Sequence, residues 1–534
     1  MGIAMIEDVA QGAVIVVPPA DDIAIGVVDR QYEDLVRGVN QRWVAAPERV
    51  VVATSAEDVR RTVRDAVREG KRITVRSGGH CFEDFVYNSE TQVVVDLTEL
   101  DEVYYDRRHR AVAVEAGATI LRMYETMYKK WGVTVPAGFC PTVGIGGYVS
   151  GGGWGTLGRQ FGLIVDHLYG VEVVTVDDRG KVRIVVATRE EHDPNRDLWW
   201  AHTGGGGGSF GIVTRYLFRT PGAEGDDPRA LLPQPPREVI LAAVGWSWAS
   251  IDRAEFGRLA RNYAQWHLDN FAPDNPNRDI AAFMGLNHRS AGQIGLIAQI
   301  DADRPDAEER LTEFFRFMNE GINVEPEALT ASVGDLGALP QFFFQRRLPW
   351  LQATRFFGMS NVQVTDPTFR AEYKSTFMVG NFPDDQLDAL HAHLTRDDIN
   401  NPNVTVQLTP YGGEISAVGP ADTAAVHRGA AFKMLYSAYW TDPADDDRYV
   451  GWARDIYGEV YAATGGAPVP NDVTDGCYVN YADIDLNAPE FNRSGVPWHD
   501  LYHKENYPRL QQIKKNYDPL DVFRHGQSVR LPAV

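Results

Sequence analysis

The chain has 534 residues, 44% apolar and 23% charged, and carries a net charge of −21. That length exceeds what one hydrophobic core usually serves, so two domains of different construction are expected. The acidic field repels phosphate polymers and anionic bilayers, which sets nucleic acid and membrane aside as partners. Three cysteines, Cys81, Cys140 and Cys477, cannot build a disulfide framework. With no signal peptide and no bilayer-length apolar run legible, a cytoplasmic protein is expected.

In chain order, residues 49–53 read as a strand, and Ser55 caps a helix whose Val59, Val63, Ala66 and Val67 form one stripe. Residues 73–75 read as a second strand that delivers Arg76-Ser77-Gly78-Gly79-His80 on the following turn. Short β-branched runs at 93–97, 111–114 and 171–176 read as buried strands. Residues 222–228 are turn-rich, and beyond them lie helical stretches at 252–271 and 305–318. Between those helices, 280–284 and 294–297 form a hairpin pattern. The last sixty residues hold Tyr478-Val479-Asn480-Tyr481, read as an apolar strand, and a helix at 507–515.

His80 and Cys140 carry the most chemistry. An imidazole and a thiolate are both nucleophiles able to attack an electron-poor isoalloxazine ring, so the pair suggests a flavin held by two covalent bonds. Cys81, adjacent to His80, is the less apt partner, since two neighbouring side chains do not easily reach one ring edge. Glycine runs at 146–153 and 204–208 lower the barrier to close backbone approach and suit extended chain laid along a long cofactor. Gly153 to Gly158 and Gly206 to Gly211 both match G-x-G-x-x-G, but the first has glycine where a nicotinamide-binding unit needs a strand. His391-Ala392-His393 reads as an exposed helix face, and no metal is expected. The motifs of serine hydrolases, zincins and P-loop enzymes are missing.

Taken together, Arg76 to His80, Cys140-Pro141-Thr142-Val143-Gly144-Ile145-Gly146-Gly147, Asp197 to Ala201, Gly204 to Val213, Tyr478 to Tyr481 and Tyr517 to Phe523 with Gln527-Ser528-Val529 resemble the berberine-bridge-enzyme-like oxidases. These belong to the vanillyl-alcohol-oxidase superfamily, and the flavour is that of the bacterial antibiotic-tailoring and sugar oxidases. The resemblance implies an α+β, two-domain PCMH-type FAD-binding fold with a substrate domain of antiparallel sheet backed by helices. Its division would be an N-terminal extension at 1–42, an FAD domain at 43–222, a substrate domain at 223–475 and a return to the FAD domain at 476–534. FAD would be bonded through its 8α carbon to His80 and through C6 to Cys140.

By the same resemblance, Arg76, Ser77, Gly78, Gly79, Thr142, Val143, Gly144, Gly146, Gly147, Gly151, Gly211, Ile212, Val213 and Asn480 would cradle the cofactor. Tyr481 is the expected base, with Tyr478 next and Tyr411 a further tyrosine of the pocket. A phenol needs a nearby positive charge to ionise usefully; Arg428 and Lys433 are the candidates. Trp154, Trp350 and Gln352 are assigned to the substrate. Trp154 departs from the family, which often has tyrosine there; indole can only donate through N–H, so it would stack on the substrate instead. Val143, small and branched at the family's gatekeeper position, goes with oxygen as acceptor and hydrogen peroxide as product. The implied enzyme oxidises an alcohol of a small natural product or sugar with O2. Oxidative cyclisation, dehydrogenation, a net non-redox flavin-bound step and a nicotinamide-dependent dehydrogenase remain alternatives.

Overall fold

A computed structural model describes residues 23–361 and 366–533, together with the backbone of Met5–Glu7 and Val14–Val16. The expected N-terminal extension therefore lies largely outside the described residues. Three sheets position the site.

The first runs Ile23–Gly26, Arg49–Val52, Val93–Asp96, Ile73–Arg76, antiparallel at the first pairing and parallel at the others. Its crossover helix, Ala56–Glu69, starts where the Ser55 hydroxyl accepts from the Asp58 N–H at 3.2 Å, and ends at Gly70 with φ 66°. Such an αL stop favours glycine. Val59, Val63 and Ala66 are fully buried under the sheets; each valine contributes roughly 1.5–3 kcal/mol by leaving water.

The second sheet is antiparallel in the order Val182–Thr188, Leu168–Val176, Ile212–Phe218, Ala111–Glu115, Val103–Asp106. The third begins after the turn-rich stretch. It runs Glu327–Ala328, Glu238–Ser247, Gln293–Asp301, Ala281–Asn287, Val404–Pro410, Phe432–Trp440, Arg370–Met378, with Arg346–Pro349 also paired to Glu238–Ser247, all antiparallel. Period-two alternation splits its faces. Phe432, Met434, Tyr436 and Ala438 enter a core formed with the helices Arg253–Asp269, Ala307–Met318, Asp384–Leu394 and Asp446–Val460. Lys433, Leu435 and Tyr439 therefore face the other way, toward Val39, Phe82 and Trp154 of the first half of the chain.

The C-terminal helix Tyr507–Tyr517 returns to the first half of the molecule. The buried Lys514 ammonium donates to the carbonyls of Ser209 (2.8 Å) and Phe523 (2.6 Å) and pairs with Asp518 at 2.6 Å. Among the described residues no helix is long and apolar enough to cross a membrane.

Several local expectations change. Ile145–Ser150 is a short helix rather than extended chain, because its first amides are satisfied from outside it: Ile145 and Gly146 donate to Ala118 and Ala116, each at 2.9 Å. The second glycine fingerprint lies between helix Arg196–Ala201 and strand Ile212–Phe218, the reverse of a nicotinamide-binding order. Tyr478 to Tyr481 is a turn and not a strand, closed by the Tyr481 N–H donating to the Tyr478 carbonyl at 2.8 Å. His393 is buried against Glu459 (2.7 Å) and His391 packs beside Trp248 and Phe256, so that helix face is not exposed.

Candidate active site

The strand Ile73–Arg76 ends at the sheet's edge and passes into the His80 loop. Arg76 is fixed by Asp96 at 2.9 Å and the Ser77 hydroxyl donates to the Ala116 carbonyl at 2.6 Å. This loop lies directly on the one that comes after Cys140. A β-carbon on Gly78 would stand 2.3 Å from the Gly144 nitrogen and 2.6 Å from the Thr142 carbonyl, and one on Gly144 would stand 2.0 Å from the Ser77 hydroxyl. Only glycine permits that approach. It brings His80 Nε2 to 2.9 Å from the Thr142 hydroxyl and puts His80 and Cys140 on the wall of one cleft.

Burial, with the Asp335 carboxylate adding to it, pushes the Cys140 thiol up to about 12. Donors from Thr142 and Val143 oppose that shift, and so favour the thiolate where one forms. The cleft is floored by bare backbone at Gly205 to Gly208 and at Gly146 and Gly147. A β-carbon on Gly147 would touch nothing within 4 Å, so its backbone is open to a ligand.

The tyrosine turn is held from the same side. Asn480 donates to the Tyr148 carbonyl at 2.9 Å and to the Tyr478 hydroxyl at 3.0 Å. It fits because residue 151 is glycine, where a β-carbon would meet its Oδ1 at 2.0 Å. The Tyr478 oxygen is thus engaged, whereas the Tyr481 hydroxyl has no hydrogen bond among the described residues and its ring lines the cleft. Burial raises both phenols, Tyr481 well above the ordinary range.

Lys433 stands against these rings. Its Nζ stands 4.1, 5.1 and 4.6 Å from the ring centroids of Trp154, Tyr478 and Tyr481, and has no hydrogen-bond partner among the described residues. Burial draws its amine down to about 7, against a smaller upward pull from Asp335. Arg428, the other cation singled out from sequence, is bound to Asp166 at 2.7 and 3.0 Å and to the Thr423 hydroxyl at 2.6 Å.

A charged seam joins the His80 loop to the tyrosine turn. Glu83 accepts from the Ile484 N–H at 2.9 Å, and Lys374 bridges Asp483 (2.8 Å) and Asp485 (2.7 Å). Arg454 holds Asp485 at 2.8 Å, and Arg42 pairs with Glu372. Glu83, Glu372 and Asp483 crowd together, so burial and mutual repulsion raise Glu83 well above the carboxylate range and lift Asp483 to about 6.

Of the residues singled out from sequence, His80, Cys140, Arg76, Ser77, Gly78, Gly79, Val143, Gly144, Gly146, Gly147, Gly211, Ile212, Val213, Asn480, Tyr478, Tyr481 and Trp154 line this cleft. Thr142 and Gly151 stand behind it, supporting His80 and Asn480. Tyr411 does not line it; its ring is buried 5.1 Å from that of Phe377. Trp350 is buried between Tyr124 and Tyr128, and Gln352 is exposed on the outer side of helix Trp350–Met359, so neither reaches the cleft. Sequence reasoning missed Phe283, Asp335, Tyr373, Gln407, Thr409 and Leu435. The alternation of Thr405, Gln407 and Thr409 with Val404, Val406 and Leu408 was the available signal for two of them.

Glycine-floored backbone, reactive side chains on the wall and a sheet bearing a buried lysine above them define a cofactor-dependent oxidoreductase of the FAD-binding class. The family profile described as FAD binding domain matches residues 47–185, and that described as Berberine and berberine like matches 477–530. The chain belongs to the berberine-bridge-enzyme-like family of FAD-linked oxidoreductases. It is 45% identical to the aclacinomycin-N/aclacinomycin-A oxidase of Streptomyces galilaeus over 96% of this chain and 90% of that one. To the hexose oxidase of Chondrus crispus it is 32% identical over 95% of each. Among solved structures, a flavoenzyme of caerulomycin biosynthesis superposes with TM-score 0.91 at 46% identity, covering 96% of this chain and 99% of that one. A glycopeptide hexose oxidase complexed with teicoplanin superposes at 0.89 and 39%, covering 96% and 100%.

The residues fit FAD. Open glycine backbone suits a pyrophosphate, and Trp154, which lines the cleft, has a buried Nε1 whose partner would come from a ligand there.

Proposed function

We propose that the protein is an FAD-dependent oxidase with bicovalently attached flavin, oxidising an alcohol on a sugar or a glycosylated natural product with O2 as acceptor. The observation that carries this reading is the meeting of His80, Cys140 and Tyr481 in one cleft. The aclacinomycin and hexose oxidases to which the chain is similar support the substrate class. In this reading 43–222 and 476–534 form the FAD unit, and 223–475 covers the ring. When bound, FAD accepts hydride from the carbinol carbon and passes the electron pair to O2, yielding hydrogen peroxide.

His80 and Cys140 would hold the ring at two points, which keeps the cofactor in place in a cleft open enough for a bulky substrate. Tyr481 takes the hydroxyl proton as hydride leaves carbon. Lys433, against its ring, stabilises the phenolate that Tyr481 must become to act as base. Trp154 offers its indole face to the substrate ring.

The test has two parts. Acid-precipitated protein should come down yellow, with the pigment in the pellet. A panel of methyl hexosides and glycosylated aromatic compounds should then yield hydrogen peroxide in a peroxidase-coupled assay. A colourless pellet removes the covalent bonds, and flavin that no alcohol reduces removes the oxidase.

A further inference from the structure

We propose that Asp335 is a substrate-binding, specificity-determining residue whose carboxylate accepts a hydrogen bond from a second hydroxyl of a pyranose ring, next to the carbon that is oxidised. This rests on the oxidase reading above and narrows its substrate to a polyhydroxylated ring.

Asp335 lines the same cleft as His80, Trp154 and Tyr481. It is held rigidly, in a turn where Val333 and Leu336 exchange backbone hydrogen bonds at 2.9 and 3.1 Å. Gly334, at φ 60°, lets that turn lie against Gln407, whose amide a β-carbon would meet at 2.7 Å. The Asn361 side chain donates to Oδ2 at 2.6 Å and so orients the carboxylate. Its charge acts on Cys140, Lys433 and Tyr481.

The neighbourhood is that of a carbohydrate subsite. Gln407 and Thr409 project from Val404–Pro410 into the same space, and Trp154 supplies a flat face together with an unsatisfied N–H. Carboxylate, amide, hydroxyl and indole match the donors, acceptors and C–H face of a sugar ring. The Trp154 N–H has no partner among the described residues, so an apolar ring over it would leave that donor stranded, whereas a polyol oxygen satisfies it. Burial lifts the Asp335 carboxyl to about 6, so at neutral pH it remains ionised and is a strong acceptor.

The experiment uses the holoenzyme and its Asp335→Asn variant. Methyl gluco-, galacto- and rhamnopyranosides are the probes, together with deoxy analogues lacking the hydroxyl beside the oxidised carbon. Two readouts apply: kcat/KM, and the Kd from the shift of the flavin absorption band under anaerobic conditions.

Deleting that hydroxyl should cost the wild type about 10- to 100-fold. Asp335→Asn should lose a similar factor on the intact hexoside and then barely distinguish it from the deoxy analogue. Asn361→Leu, which removes the amide that donates to the carboxylate, should raise KM while leaving kcat nearly unchanged, and provides the test should Asp335→Asn not fold. A variant that discriminates the pair as the wild type does overturns the assignment. If simple alcohols reduce the flavin while no hexoside either reduces it or shifts its band, the proposal fails and the oxidase reading stands. If hexosides shift the band, less tightly in Asp335→Asn, yet no alcohol reduces the flavin, the binding role stands and the oxidase reading fails.

Discussion

Replacing Lys433 by Met tests the proposed role of Tyr481 as base. At the 4.6 Å between Nζ and the Tyr481 ring centroid, and an effective dielectric of about 20, the attraction to a phenolate is on the order of 3–4 kcal/mol. Lost from the barrier to proton removal, that corresponds to a few-hundredfold slower reaction. Because burial brings the amine down to about 7, only part of the population carries the charge at neutral pH, so a drop of about 100-fold is expected there. Anaerobic stopped-flow absorbance of flavin reduction at saturating substrate measures it. The wild-type rate should also decline on the alkaline side as Lys433 gives up its proton, a limb Lys433→Met lacks.

Stability should move the other way. The native amine releases its proton near pH 7, whereas the unfolded one keeps it to about 10. Between those values the unfolded state binds the extra proton, so native stability climbs with pH, and the burial penalty is fully present below about 7. Lys433→Met removes that penalty and should raise Tm at pH 6–7. A variant that reduces its flavin within about threefold of the wild type at pH 7 would refute the role of the charge.

Three further outcomes are expected. Tyr481→Phe should slow flavin reduction by about 100- to 10,000-fold with the yellow colour kept, and Tyr478→Phe far less; the reverse order reassigns the base. His80→Ala and Cys140→Ala should each still precipitate with flavin attached through the remaining bond, while the double variant releases its pigment into acid supernatant. Arg428→Met should destabilise the fold by about 3–5 kcal/mol in denaturant melts, since it removes the guanidinium that neutralises the largely buried Asp166 carboxylate, and Arg428→Met with Asp166→Leu should recover much of that loss.

Regular periodicity was readable; tertiary demands were not. The Ser55 cap and the Val59, Val63, Ala66 stripe announced helix Ala56–Glu69 because each signal is local. Ile145–Ser150 is helical despite its glycines, since backbone partners from Ala116 and Ala118 outweigh propensity, and no window of sequence contains them. Tyr478 to Tyr481 looked like a strand by composition, yet Asn480 bonds Tyr148 more than 300 residues away and bends the chain. Trp350 had the chemistry of a substrate wall, but Tyr124 and Tyr128 bury it. The motif residues at 76–80 and 140–147 meet in the fold because glycine at 78 and 144 lets two loops touch. Asp335, alone among apolar neighbours and glycines in Val333-Gly334-Asp335-Leu336-Gly337, gave no pattern linking it to Tyr481.

The last helix and the tail beyond it bear on how the enzyme matures. Tyr481, Phe523 and His525 all border the cleft, and Lys514 ties the tail to Ser209. The segment 204–209 gains its ties to Lys514 and His525 only once this last part of the chain has folded back on it. In the proposed reading, flavin would be enclosed only after that docking.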